Sequence, residues 1–269
     1  MAGEDSASFT GSIPEHYDAG LGPVIFAGYA ADLARRVAAA APRSVLETAA
    51  GTGIVTRLLR SQLPPETSLT ATDLNAPMLE VARRKFRLDE RVAFRTADAT
   101  ALPFADGKFD AVVCQFGVMF FPDKDQAYRE ARRVLAPGGH YFFNVWDAHA
   151  HNRFAKIVHE LVGGFFPHDP PQFYQIPFSC HQVEPIRAGL LAAGFAGIRT
   201  EVVALEQDVR DVGLFARGLV FGNPLSEQIR ARGGVDPALV AEAVATALRR
   251  ELSGDRPRIR LQAITYEAS

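Results

Sequence analysis

The chain has 269 residues, 48% of them hydrophobic, enough for one large domain or a domain with a subdomain. Its 29 Lys and Arg against 31 Asp and Glu leave a net charge of −2 with no basic run longer than the three residues Arg83-Arg84-Lys85, which disfavours a nucleic-acid partner. Cys114 and Cys180 match neither a metal site nor a disulfide framework, no signal pattern opens the chain, and the longest apolar stretch, Val24–Ala41, is broken by Asp32, Arg35 and Arg36, so the expectation is a metal-free cytoplasmic protein without a membrane span.

Met1–Gly11 is small, polar and expected to fray. Ile13–Gly28 mixes glycines with His16, Tyr17 and Phe26, and the alanine-rich Tyr29–Ala41 predicts a helix that Pro42 stops. Ser44–Glu47 reads as a strand, Ala49–Gly53 as a small-residue loop, and Val55, Leu58 and Leu59 start a helix at Ile54. Strand, glycine turn and helix make the first half of a nucleotide-binding βαβ unit, in which Gly51 and Gly53 let the backbone approach a ligand. Thr56 stands where a dinucleotide fingerprint would carry its third glycine.

Pro64-Pro65 ends that helix, and Ser68–Asp73 reads as the second strand. Asp73 closes it, 22 residues after Gly51, the interval of an acid that accepts hydrogen bonds from ribose hydroxyls. Asn75 is expected to cap the next helix, with Pro77 in its first turn and Met78 facing back toward the glycine loop. Val92–Thr96 is the third strand, followed by Ala97-Asp98-Ala99. Ala111–Cys114 is the apolar fourth strand, and Cys114 reads as a buried thiol. Ligands of open α/β sheets bind beyond the carboxyl ends of the strands, which places Gln115 and Phe116 at the reacting centre.

Asp125–Leu135 predicts a helix, Pro137-Gly138-Gly139 a turn, and His140–Trp146 the fifth strand. Asp147–Pro177, rich in proline and aromatics around an amphipathic Phe154–Val162, predicts a lid. A helix from near Gln182 to Gly194 leads into a sixth strand, Gly197–Leu205. Val209–Arg232 is helical with a break at Asn223-Pro224, Asp236-Pro237 opens a helix that Ser253-Gly254 ends, and Ile259–Thr265 is the last strand.

Four groups of residues, in order, carry a family likeness: Glu47 with Gly51-x-Gly53, then Asp73, then Asp98-Ala99 with Leu102-Pro103-Phe104 and Phe109-Asp110, and finally Arg133-Val134-Leu135-x-Pro137-Gly138-Gly139. Over Ser44–Asp147 the chain resembles the class I S-adenosylmethionine (SAM)-dependent methyltransferases, most of all the small-molecule group of the ubiquinone and menaquinone C-methyltransferases. It departs from that pattern at Ala49, which replaces the first glycine.

The resemblance implies an α/β Rossmann-like fold, a mostly parallel seven-stranded sheet with helices on both faces, an antiparallel last strand between strands five and six, and helical cap insertions. The chain then divides into an N-terminal cap (1–41), a SAM-binding core (42–147), a lid (148–180) and the rest of the sheet (181–269), with a helical insertion at 209–252. The cofactor would be SAM, leaving as S-adenosylhomocysteine (SAH). By resemblance Glu47 suits the ammonium, Ala49, Gly51 and Gly53 the backbone approach, and Asp73 with Leu74 the ribose end. Met78 would lie along the adenine, Asp98 and Ala99 at its edge, Gln115 and Phe116 near the sulfonium, and Tyr17 in the covering segment.

The expected activity is methyl transfer to a small aromatic or hydrophobic acceptor, with a homodimer as one assembly. The other readings are a SAM-binding protein without catalysis and a nicotinamide oxidoreductase, the latter opposed by Thr56 and by Asp98-Ala99. Phe116, Met119, Phe120, Phe165, Phe173, Tyr174, Phe215 and Phe221 could flank the acceptor, which such a lining would favour if flat or greasy. Among His16, His149, His151 and His181, His151 is the first candidate for a base, because it follows the fifth strand and precedes Asn152, which could orient it. No histidine is expected to carry most of the rate, since displacement at an activated methyl depends chiefly on positioning.

Overall fold

A computed structural model describes residues 7–254 and 256–269; of the segment expected to fray, Met1–Ser6 lies outside the described residues. The sheet has seven strands in the order β3-β2-β1-β4-β5-β7-β6. They are β1 (Ser44–Glu47), β2 (Ser68–Asp73), β3 (Val92–Thr96), β4 (Phe109–Gln115), β5 (Leu135–Trp146), β6 (Ile198–Asp208) and β7 (Arg258–Ala268). β1 pairs in parallel with both β2 and β4, so the strand order reverses beside β1 and opens a crevice there. β7 runs antiparallel to both β5 and β6, as the resemblance implied.

Strand alternation sorts the core into two faces. Val45, Ala111, Val113 and Phe142 pack with Leu33, Val37, Val55 and Leu59 of α2 (Ala27–Ala39) and α3 (Ile54–Gln62). Their neighbours Leu46, Val112, Cys114 and Phe143 join Tyr128, Ala131, Ile186 and Leu190 of α5 (Lys124–Val134) and α7 (Val183–Ala192), while Leu79 of α4 (Ala76–Arg83) packs with Ala71 of β2. Cys114 is fully buried, and burial pushes its thiol up to about 11. Asp123 caps α5 by accepting the Gln126 amide at 2.8 Å.

Ile13–Phe26, unassigned from sequence, is helical: α1 (Ile13–His16) widens into a π-helical run, Tyr17–Phe26, that leads into α2. The Ala27 amide donates to the Gly22 carbonyl five residues back, and Pro23 supplies no amide within the run. This run crosses α8 (Val212–Phe221) through two glycines, since a Cβ on Gly20 would lie 2.7 Å from the Gly218 Cα. α8 packs in turn with α9 (Leu225–Arg232) and α10 (Pro237–Glu251), and α10 packs with α6 (Arg153–Phe165), in one helical layer. The break between α8 and α9 falls at Asn223-Pro224 as expected, and Asp236 caps α10 through the Ala238 amide at 2.8 Å. β4, β5, β6 and β7 are longer than the sequence pattern suggested, because Phe109 pairs with Leu135 across an irregularity that leaves Pro137-Gly138-Gly139 unpaired, and the β6–β7 ladder continues past Leu205.

Candidate active site

The loop after β1 is held in left-handed conformations at Ala49 (φ 51°), Gly51 (φ 56°) and Gly53 (φ 78°). Asp73, at the end of the adjacent β2, fixes that loop: its Oδ2 accepts the Gly51 amide at 2.8 Å. Its Oδ1 accepts the Asn75 amide, also at 2.8 Å. Burial raises the Asp73 carboxyl, and these two amides oppose the rise. Asn75 begins α4 without the expected side-chain cap. Its amide instead reaches the segment before α1, accepting from the Phe9 N–H at 3.1 Å and donating to the Ala7 carbonyl at 2.9 Å.

A cavity of about 770 Å³ opens over the carboxyl ends of β1, β2, β4 and β5. Tyr17, Ala49, Gly51, Asp73, Leu74, Met78, Asp98, Ala99, Gln115 and Phe116 line it; Glu47 and Gly53 do not. Glu47 is buried against α3, where Thr56 Oγ1 donates to its Oε2 at 2.6 Å. Burial pushes its carboxyl up to about 8 despite the Thr56 bond, with the Asp73 charge adding to the rise. The acid expected at the ammonium end is thus turned away from the cavity. Gly53 packs the loop onto α4: a Cβ there would lie 2.9 Å from Ala82 Cβ.

The loop end of the cavity combines apolar side chains with two carboxylates. Leu74 is 56% exposed on the lining, a flat apolar surface, and Met78 lies close under Gly51. Asp98 uses Oδ1 to accept the Thr100 amide at 2.8 Å and the Thr100 hydroxyl at 2.7 Å, and Oδ2 has no protein partner among the described residues. The N-terminal run clasps the same end, with Thr52 Oγ1 donating to Asp18 at 2.6 Å and Lys85 paired with the same carboxylate.

The other end is aromatic. Phe116 holds an unusual left-handed backbone (φ 52°), stabilised by Asn144 Oδ1, which accepts its amide at 3.0 Å. Its ring stacks on Trp146 at 4.0 Å and 8°. Tyr17 stacks on Phe26 at 4.8 Å, and Phe120 on Phe173 at 6.1 Å. Met119 and Tyr174 also line this end, whereas Phe165, Phe215 and Phe221 do not. Pattern reading missed Phe9, Phe26, Trp146, Phe154, Phe178 and Asn223. Only Trp146 carried a signal, since it closes β5 at the ligand-binding edge. Gln115 donates weakly to the Phe26 carbonyl at 3.5 Å, and its buried Oε1 has no partner among the described residues.

None of His16, His149, His151 and His181 lines this cavity. His16 packs against Phe221 with ring centroids 5.4 Å apart and the planes tilted, and burial together with the Arg217 charge lowers its pKa. His149 Nε2 bonds the Tyr174 carbonyl at 2.9 Å, and burial lowers its pKa too. His181 Nδ1 bonds the Phe178 carbonyl at 2.9 Å. His151 lines a separate groove with Arg153, Glu251 and Arg260. Asn152 does not orient it: fully buried, its amide donates to the Asp147 carbonyl at 3.0 Å and the Gln262 carbonyl at 2.9 Å, tying the end of β5 to β7. Among the described residues no cluster of metal-ligating side chains occurs, and no helix is long and apolar enough to cross a membrane.

A family model described as "Methyltransferase domain" matches residues 46–143. The demethylmenaquinone methyltransferase of Thermus thermophilus is 34% identical over 174 residues, covering 61% of this chain and 78% of that protein. The ubiquinone/menaquinone biosynthesis C-methyltransferase UbiE of Hahella chejuensis is 44% identical over 100 residues, 36% of this chain but only 40% of that protein. Among solved structures, the YcgJ protein of Bacillus subtilis shares the fold at 20% identity and a TM-score of 0.58, over 90% of this chain and 97% of that one.

Proposed function

The chain belongs to the class I SAM-dependent methyltransferases, and from that premise we propose that it methylates a small, flat, apolar acceptor seated in the aromatic half of the cavity. The observation that carries this reading is the division of one cavity into two chemistries. Its loop end presents backbone and two carboxylates, and its far end presents Phe116, Trp146, Phe120, Phe173 and Phe178. The quinone-directed relatives support an acceptor of that kind.

In this reading Asp73 takes the ribose hydroxyls, for which two carboxylate oxygens are suited. Leu74 and Met78 flank the adenine, and Asp98 and Ala99 meet its edge. When bound, the cofactor supplies a methyl group on a positively charged sulfur. The protein's part is to orient both molecules and exclude water, with the Phe116–Trp146 stack as a rigid wall beside the reacting centre. The N-terminal helical run and Asp147–Pro177 serve as a cover, which the Asp18 clasp on Thr52 and Lys85 supports. The free Cys114 and Cys180 support a reducing, cytoplasmic setting, and the absence of any Lys or Arg on the described lining supports a small molecule over nucleic acid. A homodimer is our expectation, to be tested by sedimentation.

The test is a screen of phenols, quinols and polyketides with SAM, read as SAH release. Turnover confined to planar apolar compounds is expected. Turnover confined to small polar amines would overturn the acceptor assignment.

A further inference from the structure

We propose that the acceptor is an acidic planar hydroxyl compound, such as an electron-poor phenol or a vinylogous enol, taken as its anion, and that the bound cofactor's positive charge rather than any protein group stabilises that anion. The inference rests on the reading above that the aromatic half is the acceptor site.

The ionisable groups of the described lining are Tyr17, Asp73, Asp98 and Tyr174. Asp73 and Asp98 belong to the loop end, where Gly51 and Asn75 hold both oxygens of Asp73 and Thr100 holds Oδ1 of Asp98. Tyr174 donates its hydroxyl to the Leu219 carbonyl at 2.8 Å, beside Asn223, which donates to the same carbonyl at 2.9 Å. Burial raises the Tyr17 and Tyr174 phenols far above neutral, so neither accepts a proton there as a phenolate. The histidine candidates lie elsewhere: His149 and His181 bond main-chain carbonyls, His16 packs against Phe221 outside the lining, and His151 faces a different groove. The aromatic half therefore has no group suited to take a proton from an acceptor during transfer.

An acceptor that arrives as an anion needs none. An oxygen lone pair of the anion forms the bond to the methyl carbon, the carbon–sulfur pair remains on sulfur, and in this transfer to oxygen no proton moves. Such an anion is penalised by aromatic walls, which disfavour charge. No Lys, Arg or His lines the cavity among the described residues to offset that penalty. Transfer requires contact between the reacting atoms, about 3–3.5 Å, so the acceptor lies against the charged sulfur. A unit charge so placed lowers a neighbouring acid's pKa by about 1–3. Anion binding is thereby tied to the charge state of the cofactor, and a neutral thioether no longer holds the acceptor in its ionised form.

The experiment uses the full chain with 4-nitrophenol, whose anion is read in the visible, in the presence of sinefungin, which is cationic and carries no transferable methyl, or of SAH, which has a neutral sulfur. Binding of the anion at least about ten-fold tighter with sinefungin is expected, with its bound pKa displaced downward relative to the SAH complex. Equal affinities and equal titrations, or no binding in either complex, would overturn the inference. A second arm follows SAH release against pH for phenols of graded acidity. The inflection is expected to move with each phenol's own pKa; an inflection fixed across the series would reveal a protein base and also overturn it. Turnover with a fixed inflection would defeat the inference alone, whereas bound SAM with no transfer to any planar acceptor would defeat the assignment of the aromatic half on which it rests.

Discussion

Asp73 Oδ2 accepts the Gly51 amide at 2.8 Å, so the carboxylate that ends β2 and the glycine loop that follows β1 form one unit. The same acid both shapes the loop and lies on the cavity wall. Asp73→Ala should weaken SAM binding by about 1.5–3 kcal/mol, the scale of a lost charge-assisted hydrogen bond. Calorimetry on the folded variant decides; unchanged affinity would remove Asp73 from the cofactor site.

Glu47 predicts a pH dependence of stability. Its folded value is raised from 4.5 to about 8, so between these limits the folded chain holds more protons than the unfolded one. Its contribution is therefore complete below the unfolded value and is lost as pH rises through about 8. Inside the window stability should fall by at most about 1.4 kcal/mol per pH unit from this group. Asp73, raised by burial as well, adds a slope of the same sign. Glu47→Gln should flatten the curve, and denaturant melts at about pH 6 and about pH 9 measure it. An unchanged slope in Glu47→Gln would mean that Glu47 is not the group responsible.

The two motif glycines should separate on substitution. Gly53→Ala forces a side chain into φ 78° and onto Ala82, so it should lower stability by about 1–3 kcal/mol. Gly51→Ala adds a Cβ within 3.4 Å of Met78 Cε at φ 56°, on the cavity wall itself, so SAM affinity should fall along with stability. Thermal melts with and without SAH compare them; the SAH-induced rise in melting temperature should survive in Gly53→Ala and shrink in Gly51→Ala.

Alanine at His16, His149, His151 or His181 should leave kcat within about ten-fold of the parent, since none lines the cavity. A fall of about 10³ in one of them, with SAM binding intact, would indicate general base catalysis and defeat the positioning account.

Limited proteolysis tests the cover. Cleavage before α2 and within Asp147–Pro177 should slow when SAH is bound, and Asp18→Ala should lose part of that protection because the Thr52 and Lys85 contacts go with it. Identical cleavage with and without SAH would argue against a closing segment.

What the sequence disclosed follows from locality. Gly51, Asp73, Asp98 and Gln115 were legible because strand ends place their successors at one edge of the sheet, wherever the rest of the chain goes. Glu47 and Gly53 belong to the same motif, yet the motif does not say which way a side chain points; one turned to Thr56 and the other packs on Ala82. Phe9, Phe26, Phe178 and Asn223 reach the cavity from segments distant in sequence, through tertiary packing that periodicity does not encode. The π-helical run was illegible for a different reason. Gly20, Gly22 and Pro23 are poor helix formers, and contact with α8 overrides their local preference.

The glycine crossing between that run and α8 bears on how this protein could be re-engineered. A Cβ on Gly218 would come within 2.9 Å of the Gly20 main chain, and one on Gly222 within 2.9 Å of the Tyr17 nitrogen. The two backbones are thus fitted to each other along a full helical turn, and one of them carries Tyr17 while the other carries Leu219, both on the cavity wall. A chimera that imports a foreign α8 to alter acceptor choice would have to import its matching N-terminal helix as well, since neither half leaves room for an arbitrary partner.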